Sequence, residues 1–261
     1  MSADTAPVEE NLPTISVRQM ATRASGVILN DLLNFIFPPE CIVCENRLAD
    51  DERYFCATCR NLADDIRFPV CPECRTEVTD LRTGCRNCKG TNPISVLWTC
   101  GTFDQFYRPV VHGIKYEGLL PLVSMMSEII FSRLNETPGS TIIDAIVPVP
   151  LHWTRLRERG FNQSEQIADE LGRQLDQPVL SNALKRVKKT LDQTGLSAQA
   201  RIENMKGAFK IRNADAVAGK RILLIDDVTT TGATLNEAAG ELRRSGCRNV
   251  FAAVIAMASY G

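Results

Sequence analysis

A charge excess of either sign is missing from this chain. Thirty Lys and Arg stand against 31 Asp and Glu, and a net charge of -1 over 261 residues excludes a global electrostatic footprint for nucleic acid. Basic clusters are local, at Arg155, Arg157 and Arg159 and again at Lys185, Arg186, Lys188 and Lys189, and they suit phosphate as readily as DNA. Histidine is scarce: with only His112 and His152 no Ser-His-Asp arrangement is credible, and His152 reads as a local hydrogen-bonding group. Neither G-x-x-x-x-G-K-[ST] nor G-x-G-x-x-G occurs, which argues against nucleoside triphosphate and dinucleotide sites. No internal repeat or low-complexity tract is evident. No apolar run reaches the length a bilayer requires. ASGVILNDLLNFIFPP, residues 24–39, is broken by Asn30, Asp31 and Asn34 and is too short to span a bilayer, so an amphipathic helix packed on the protein is expected there. MSADTAPVEENLPTIS has neither the charged n-region nor the apolar core of a secretory signal, and a cytoplasmic location is expected.

Cysteine, by contrast, is plentiful. Eight of the ten fall in four C-x-x-C pairs, Cys41 and Cys44, Cys56 and Cys59, Cys71 and Cys74, Cys85 and Cys88, with spacers of 11, 11 and 10 residues. Two thiolates on one tight turn grip a Zn(II) ion and a second turn completes a tetrahedral sulfur site, so two structural zinc ions are expected. Consecutive pairing would put the first four cysteines on one metal and the last four on the other; an interleaved cross-brace satisfies the same spacing. With sulfur in all four positions neither metal keeps an open site for catalysis. Few apolar residues lie between the pairs, so metal ligation, worth roughly 10 kcal/mol or more per site, is expected to fold residues 41–88. Cys100 and Cys247 stand outside the pattern and read as buried small hydrophobes.

From about residue 93 apolar runs alternate with amphipathic stretches. SVLWTCGTF reads as a strand, VHGIKYEGLLPLVSMMSEIIFSRL as a turn leading into a helix, and TIIDAIVPVPL as a buried strand ended by prolines. NQSEQIADELGRQL reads as a helix capped by Asn162 or Ser164, with Ile167, Leu171 and Leu175 on one face. RILLID and NVFAAVIAMA are continuous apolar runs, as central strands covered on both faces require. The alternation implies an α/β fold with a mainly parallel, doubly wound sheet. In the unit RILLIDDVTTTGATLNEAAGELRRSG, Leu235, Ala238, Ala239 and Leu242 form the helix face laid on the sheet, and Gly246 fits the C-cap. Asp226 and Asp227 then sit at the carboxyl end of a parallel strand, where open α/β sheets bind ligands. Thr229 to Thr234 wrap a helix N-terminus that suits a phosphate, while the two acids can accept hydrogen bonds from a vicinal diol.

ILLIDDVTTTGAT closely resembles the 5-phosphoribosyl 1-pyrophosphate (PRPP) motif of type I phosphoribosyltransferases. The chain from residue 36 to 261 resembles the ComF family, with its ComFC- and GntX-type members, through FPPECIVC and the cysteine-rich segment, IKYEG, VPVPLHWTRLRERGFNQSEQIA, KKTLDQTGLSAQARIENMKGAF and the PRPP motif, in that order. Residues 1–35 are expected to form a tail with the amphipathic helix, and the resemblance implies a small double zinc-ribbon domain with four cysteines per metal over 36–92 and a type I phosphoribosyltransferase-like domain over 93–261. It implies that Asp226 and Asp227 bind the ribose hydroxyls and position the reacting complex, and that Thr230, Thr231, Gly232, Ala233 and Thr234 cradle the 5-phosphate. Val149, Pro150 and Leu151 would approach the diphosphate through their backbone, with Arg157, or its neighbours Arg155 and Arg159, neutralising it. KRVKKTLDQTGLSAQARIEN would be a mobile lid, with Lys188, Lys189 or Arg201 reaching in, and Lys115 and Tyr116 would belong to a hood over the second substrate. Mg(II) would accompany PRPP. Thr230 stands where hypoxanthine-type enzymes carry an acid, which removes the best clue to a nucleobase acceptor. The implied role is DNA uptake in natural transformation or nucleotide salvage, with single-stranded DNA and a competence helicase as partners. The alternative is a non-catalytic nucleic-acid-binding or docking factor, to which Arg47, Arg53, Arg60, Arg67, Arg75, Arg82 and Arg86 of the ribbons would contribute phosphate pairing.

Overall fold

The structure is a computed structural model, and it describes residues 39–63, 66–81, 83–88, 92–138, 142–190 and 197–258. The helix expected over 24–39 lies, Pro39 apart, outside the described residues. The chain divides into two compact units, with the boundary between Ala57 and Thr58.

In the first unit Cys41 opens a metal-type knuckle. Cys41 N–H donates to the Asn46 carbonyl, Glu45 N–H returns to the Cys41 carbonyl, and Glu40 and Arg47 form an antiparallel bridge. The turn forces Glu45 into left-handed backbone, φ 61°. Thirty residues on, from Cys41 to Cys71, the second unit repeats the device: Cys71 N–H donates to Thr76, Arg75 N–H to Cys71, Val70 bridges Glu77, and Arg75 has φ 62°. The structure thus contains a repeat not evident in the sequence, because between residues 39–48 and 69–78 only the cysteines and the prolines Pro39 and Pro69 coincide, while the repeated bonds are backbone bonds.

The second unit is built on a parallel sheet. Its strands are β1 (Leu97–Thr102), β2 (Ala145–Pro148), β5 (Arg221–Thr229) and β6 (Asn249–Met257), and among the described residues they run side by side in the order β1-β6-β5-β2. The apolar runs in β5 and β6 are buried along almost their whole length, as strands with both faces covered must be. A short helix, α1 (Ala57–Arg60), precedes the sheet. After β1 come α2 (Tyr107–Tyr116) and α3 (Leu120–Glu136). The sequence pattern showed only the second of these. Gly118 at φ 66° and Pro121 in the first turn of α3 separate them, and α2 buries Val110, Val111 and Ile114.

The chain leaves β2 through α4 (Trp153–Arg159) and α5 (Gln163–Leu175), and Val179 then bridges Ile146 in parallel on the outer edge of β2. It returns through β3 (Leu184–Arg186), α6 (Ala198–Met205) and β4 (Phe209–Ile211), with β3 and β4 antiparallel, before entering β5. The helix α7 (Ala233–Arg244) joins β5 to β6. Moving outward from β2 and inward from β5 in right-handed crossovers puts α5 and α7 on opposite faces. In keeping with this, Leu235, Ala238, Ala239 and Leu242 of α7 share one core with Val147, Ile222, Leu224, Ala252 and Phe209. The reversal opens a crevice at the carboxyl ends of β2 and β5, the place where a doubly wound sheet takes its ligand.

Candidate functional site

The cysteines settle into two sets, Cys41, Cys44, Cys56 and Cys59, and Cys71, Cys74, Cys85 and Cys88, with the sulfurs of each set within 4.8 Å of one another. A tetrahedron with Zn–S bonds of about 2.3 Å has edges of about 3.8 Å. Cys44 and Cys56 lie 3.7 Å apart, and Cys74 and Cys85 3.5 Å. Both sets therefore fit one zinc each, in the consecutive pairing and not the cross-brace. Cys100 and Cys247 are buried away from both, and burial pushes the Cys247 thiol up to about 11.

At the crevice a cavity of about 420 Å³, large enough for a phosphosugar, is lined by Val149 and Leu151 from the β2 end, Asp226 and Asp227 from β5, and Thr230, Gly232, Ala233 and Thr234 from the following turn. Gly232 holds φ 76° at the head of α7 and, as its N-cap, makes no side-chain capping bond. Within the turn, Ala233 N–H donates to the Thr231 hydroxyl. Donors at a helix N-terminus, with the positive end of its dipole, suit an anion.

Around the acids the contacts are specific. Asp226 accepts from the Ser164 hydroxyl at 3.1 Å and from Asp227 N–H at 3.0 Å. Asp227 pairs with the Lys115 ammonium at 3.0 Å and accepts a hydrogen bond from the Gln163 amide. Burial, with the Asp227 charge beside it, pushes Asp226 up to about 7 against the pull of Lys115. One acid thus pairs with a lysine while its neighbour titrates near neutrality.

Cations surround the pair: Lys115, Arg155, Arg159, Arg186 and Arg201 all line the cavity. Arg155 and Arg159 share a face of α4 at i and i+4, whereas Arg157 is exposed on the other side and does not line it. Pro150 and Thr231 also lie outside the lining. In the lid segment Arg201 enters, its guanidinium on the Thr230 hydroxyl at 3.0 Å, while Lys188 donates to the Lys206 carbonyl and Lys189 is exposed. Residues 191–196, with Gly195, lie outside the described residues, as does Arg82. Tyr116 is exposed at the cavity edge, with the Arg159 guanidinium 5.3 Å from its ring centre. His152 caps α4 by accepting from Thr154 N–H, as its local reading required.

Sequence reading missed Gln163 and Ser164 as groups of the site, whereas Arg186, from the basic cluster read as suited to phosphate, lines the cavity. Asn162 takes the capping role at α5 by accepting from Ser164 N–H, which leaves the Ser164 hydroxyl for Asp226. Gln163 and Ser164 stand within the GFNQSEQIA stretch, but nothing local signals that α5 begins opposite the end of β5. Among the described residues no helix is long and apolar enough to cross a membrane.

Residues 101–259 match the phosphoribosyl transferase domain family and residues 32–93 the double zinc ribbon domain family. Competence protein F of Haemophilus influenzae is 31% identical over 224 residues, 84% of this chain and 96% of that protein. DNA utilization protein YhgH of Escherichia coli K12 is 31% identical over 217 residues, 82% of this chain and 94% of that protein. Competence protein ComFC of Bacillus subtilis is 31% identical over 147 residues, 56% of this chain and 57% of that protein.

Proposed function

The chain belongs to the ComF family of proteins with a phosphoribosyl transferase domain behind a double zinc ribbon, and from that premise we propose that it binds PRPP at the β5–α7 crevice and acts as a phosphoribosyltransferase-like protein of DNA uptake or nucleotide salvage. The observation that carries this reading is the shared cavity: a helix N-terminus with glycine at its N-cap, two acids and a ring of arginines face one volume.

In this reading the 5-phosphate sits on the turn from Thr230 to Thr234, and the ribose hydroxyls donate to Asp226 and Asp227. The diphosphate lies toward Val149 and Leu151 with Arg155 and Arg159 beside it. Lys115 and Gln163 hold the Asp227 carboxylate in position before the ligand arrives, so the diol meets an acceptor that needs no reorganisation. Asp226 gives up its proton, or shares it, as cationic charge enters the site. The two carboxylates are also the residues that would hold Mg(II) together with PRPP, and the ion supplies neutralisation of the leaving diphosphate. Transfer would break the bond between C1 of ribose and the diphosphate oxygen, with the electron pair leaving on the diphosphate, while a lone pair of the acceptor forms the new bond to C1. Arg201, now on the Thr230 hydroxyl, is placed to follow the phosphate as the lid segment closes.

The names of the relatives connect them with competence and DNA utilization, and we extend that connection to this chain, acting in the cytoplasm with single-stranded DNA and a helicase partner. The test is calorimetric titration of PRPP with Mg(II) into zinc-loaded protein, beside an Asp226→Asn, Asp227→Asn double variant. Micromolar binding that disappears in the variant supports the site. No binding to the unaltered protein would refute it and leave the crevice a scaffold.

A further inference from the structure

The second zinc knuckle reaches the phosphate turn. Arg75 follows the metal-binding Cys74, and its guanidinium donates to the Thr230 carbonyl at 3.2 Å and to the Met257 thioether. Thr230 is the first residue past β5, and Met257 ends the neighbouring strand β6, where it pairs with Thr229. Arg75 therefore bridges the carboxyl ends of the two central strands at the point where the turn leaves the sheet.

The knuckle aims this side chain. Both knuckles force a left-handed residue after the second cysteine, φ 61° at Glu45 and 62° at Arg75, although neither residue is a glycine. Glu45 is exposed in its own unit, whereas Arg75 is partly buried against the turn. The conformation belongs to the metal turn; the arginine belongs to its location. A second tie fixes the base of the knuckle: Val70, next to Cys71, is buried in the core of the sheet and exchanges hydrogen bonds with Leu97 of β1, both at 2.9 Å.

A trans peptide holds its C=O and the following N–H in opposite directions. Fixing the Thr230 carbonyl toward the ribbon therefore turns the Thr231 N–H away from it, and prevents a flip that would present a carbonyl dipole to an incoming anion. We infer that Arg75 is a positioning residue for the phosphate turn, and that the second zinc ribbon tunes the anion site through it. The affinity arm rests on the PRPP reading; the ordering of the turn does not.

The experiment compares full-length, zinc-loaded wild type with Arg75→Ala, Arg75→Met and, as a control, Glu45→Ala. It measures zinc content, amide hydrogen exchange over residues 229–234, and calorimetric affinity for PRPP, ribose 5-phosphate and inorganic pyrophosphate. Both Arg75 variants should keep their zinc and exchange faster across the turn. They should bind PRPP and ribose 5-phosphate about tenfold more weakly, the weight of one charge-assisted hydrogen bond, with pyrophosphate affinity unmoved. Glu45→Ala should change none of these. Exchange and affinity in both Arg75 variants equal to those of a wild type that binds PRPP would overturn the inference, as would loss of zinc from both variants, which would make the residue part of the ribbon's own folding. Failure of the wild type to bind PRPP or ribose 5-phosphate would count against the PRPP site itself; hydrogen exchange then decides the coupling alone.

Discussion

Replacing Asp226 by Asn should make the protein more stable, by an amount that grows as pH rises from about 4 to about 7 and is full above it. The carboxyl is buried, and its pKa rises from an ordinary 3.8 to about 7, chiefly through lost hydration and secondarily through the Asp227 charge. Because the folded value lies above the unfolded one, the folded chain holds a proton between about pH 4 and pH 7 that the unfolded chain has released. Stability therefore falls as pH rises through that window and levels off above the folded pKa. At about 1.4 kcal/mol per pH unit, keeping this group ionised at pH 8 costs about 4 kcal/mol. An asparagine carries no charge, and its amide oxygen can still accept from the Ser164 hydroxyl. Thermal melts of the apo protein without Mg(II) should show Asp226→Asn roughly 5–15 °C above the wild type at pH 8, since about 1 kcal/mol moves a domain of this size by 2–4 °C. The difference should shrink toward zero near pH 4. Equal melting temperatures at pH 8, or a gap of the same size at both pH values, would refute the assignment of a strained carboxyl and remove the electrostatic basis of the acid pair. The same variant should lose PRPP affinity, so that stability and binding move in opposite directions.

The remaining predictions concern the metals and the turn. Purified protein should release two zinc ions per chain on acid digestion; Cys56→Ser and Cys85→Ser should each retain one, because the two sulfur sets are separate. Elemental analysis checks this, and a variant that loses both would point to a shared site. Gly232→Ala places a Cβ on backbone at φ 76° and 3.3 Å from the Asn236 side chain, so urea denaturation should show a loss of about 1–2 kcal/mol and titration a weaker PRPP isotherm. An unchanged midpoint would mean the turn relaxes without its glycine.

Local chemistry is legible in the sequence by itself. The C-x-x-C spacing names the eight ligands, since each knuckle is a tight turn whose geometry the cysteines themselves impose. The runs in β5 and β6, and the acids and threonines between β5 and α7, are equally plain, because a strand, its terminal acids and the capping turn are neighbours along the chain. The choice of Arg155 and Arg159 over Arg157 is half legible: a helical period puts i and i+4 together, but which face meets the cavity depends on how α4 is set beside β2. Which cysteines share a metal is likewise open in the sequence, as both pairings satisfy the spacing. What only the tertiary structure decided are the contacts between distant segments, Lys115 and Gln163 on Asp227, Ser164 on Asp226, and Arg75 on Thr230. No periodicity encodes them. They exist because the sheet reverses its winding between β2 and β5 and brings α2, the start of α5 and the second zinc knuckle to the same carboxyl edge.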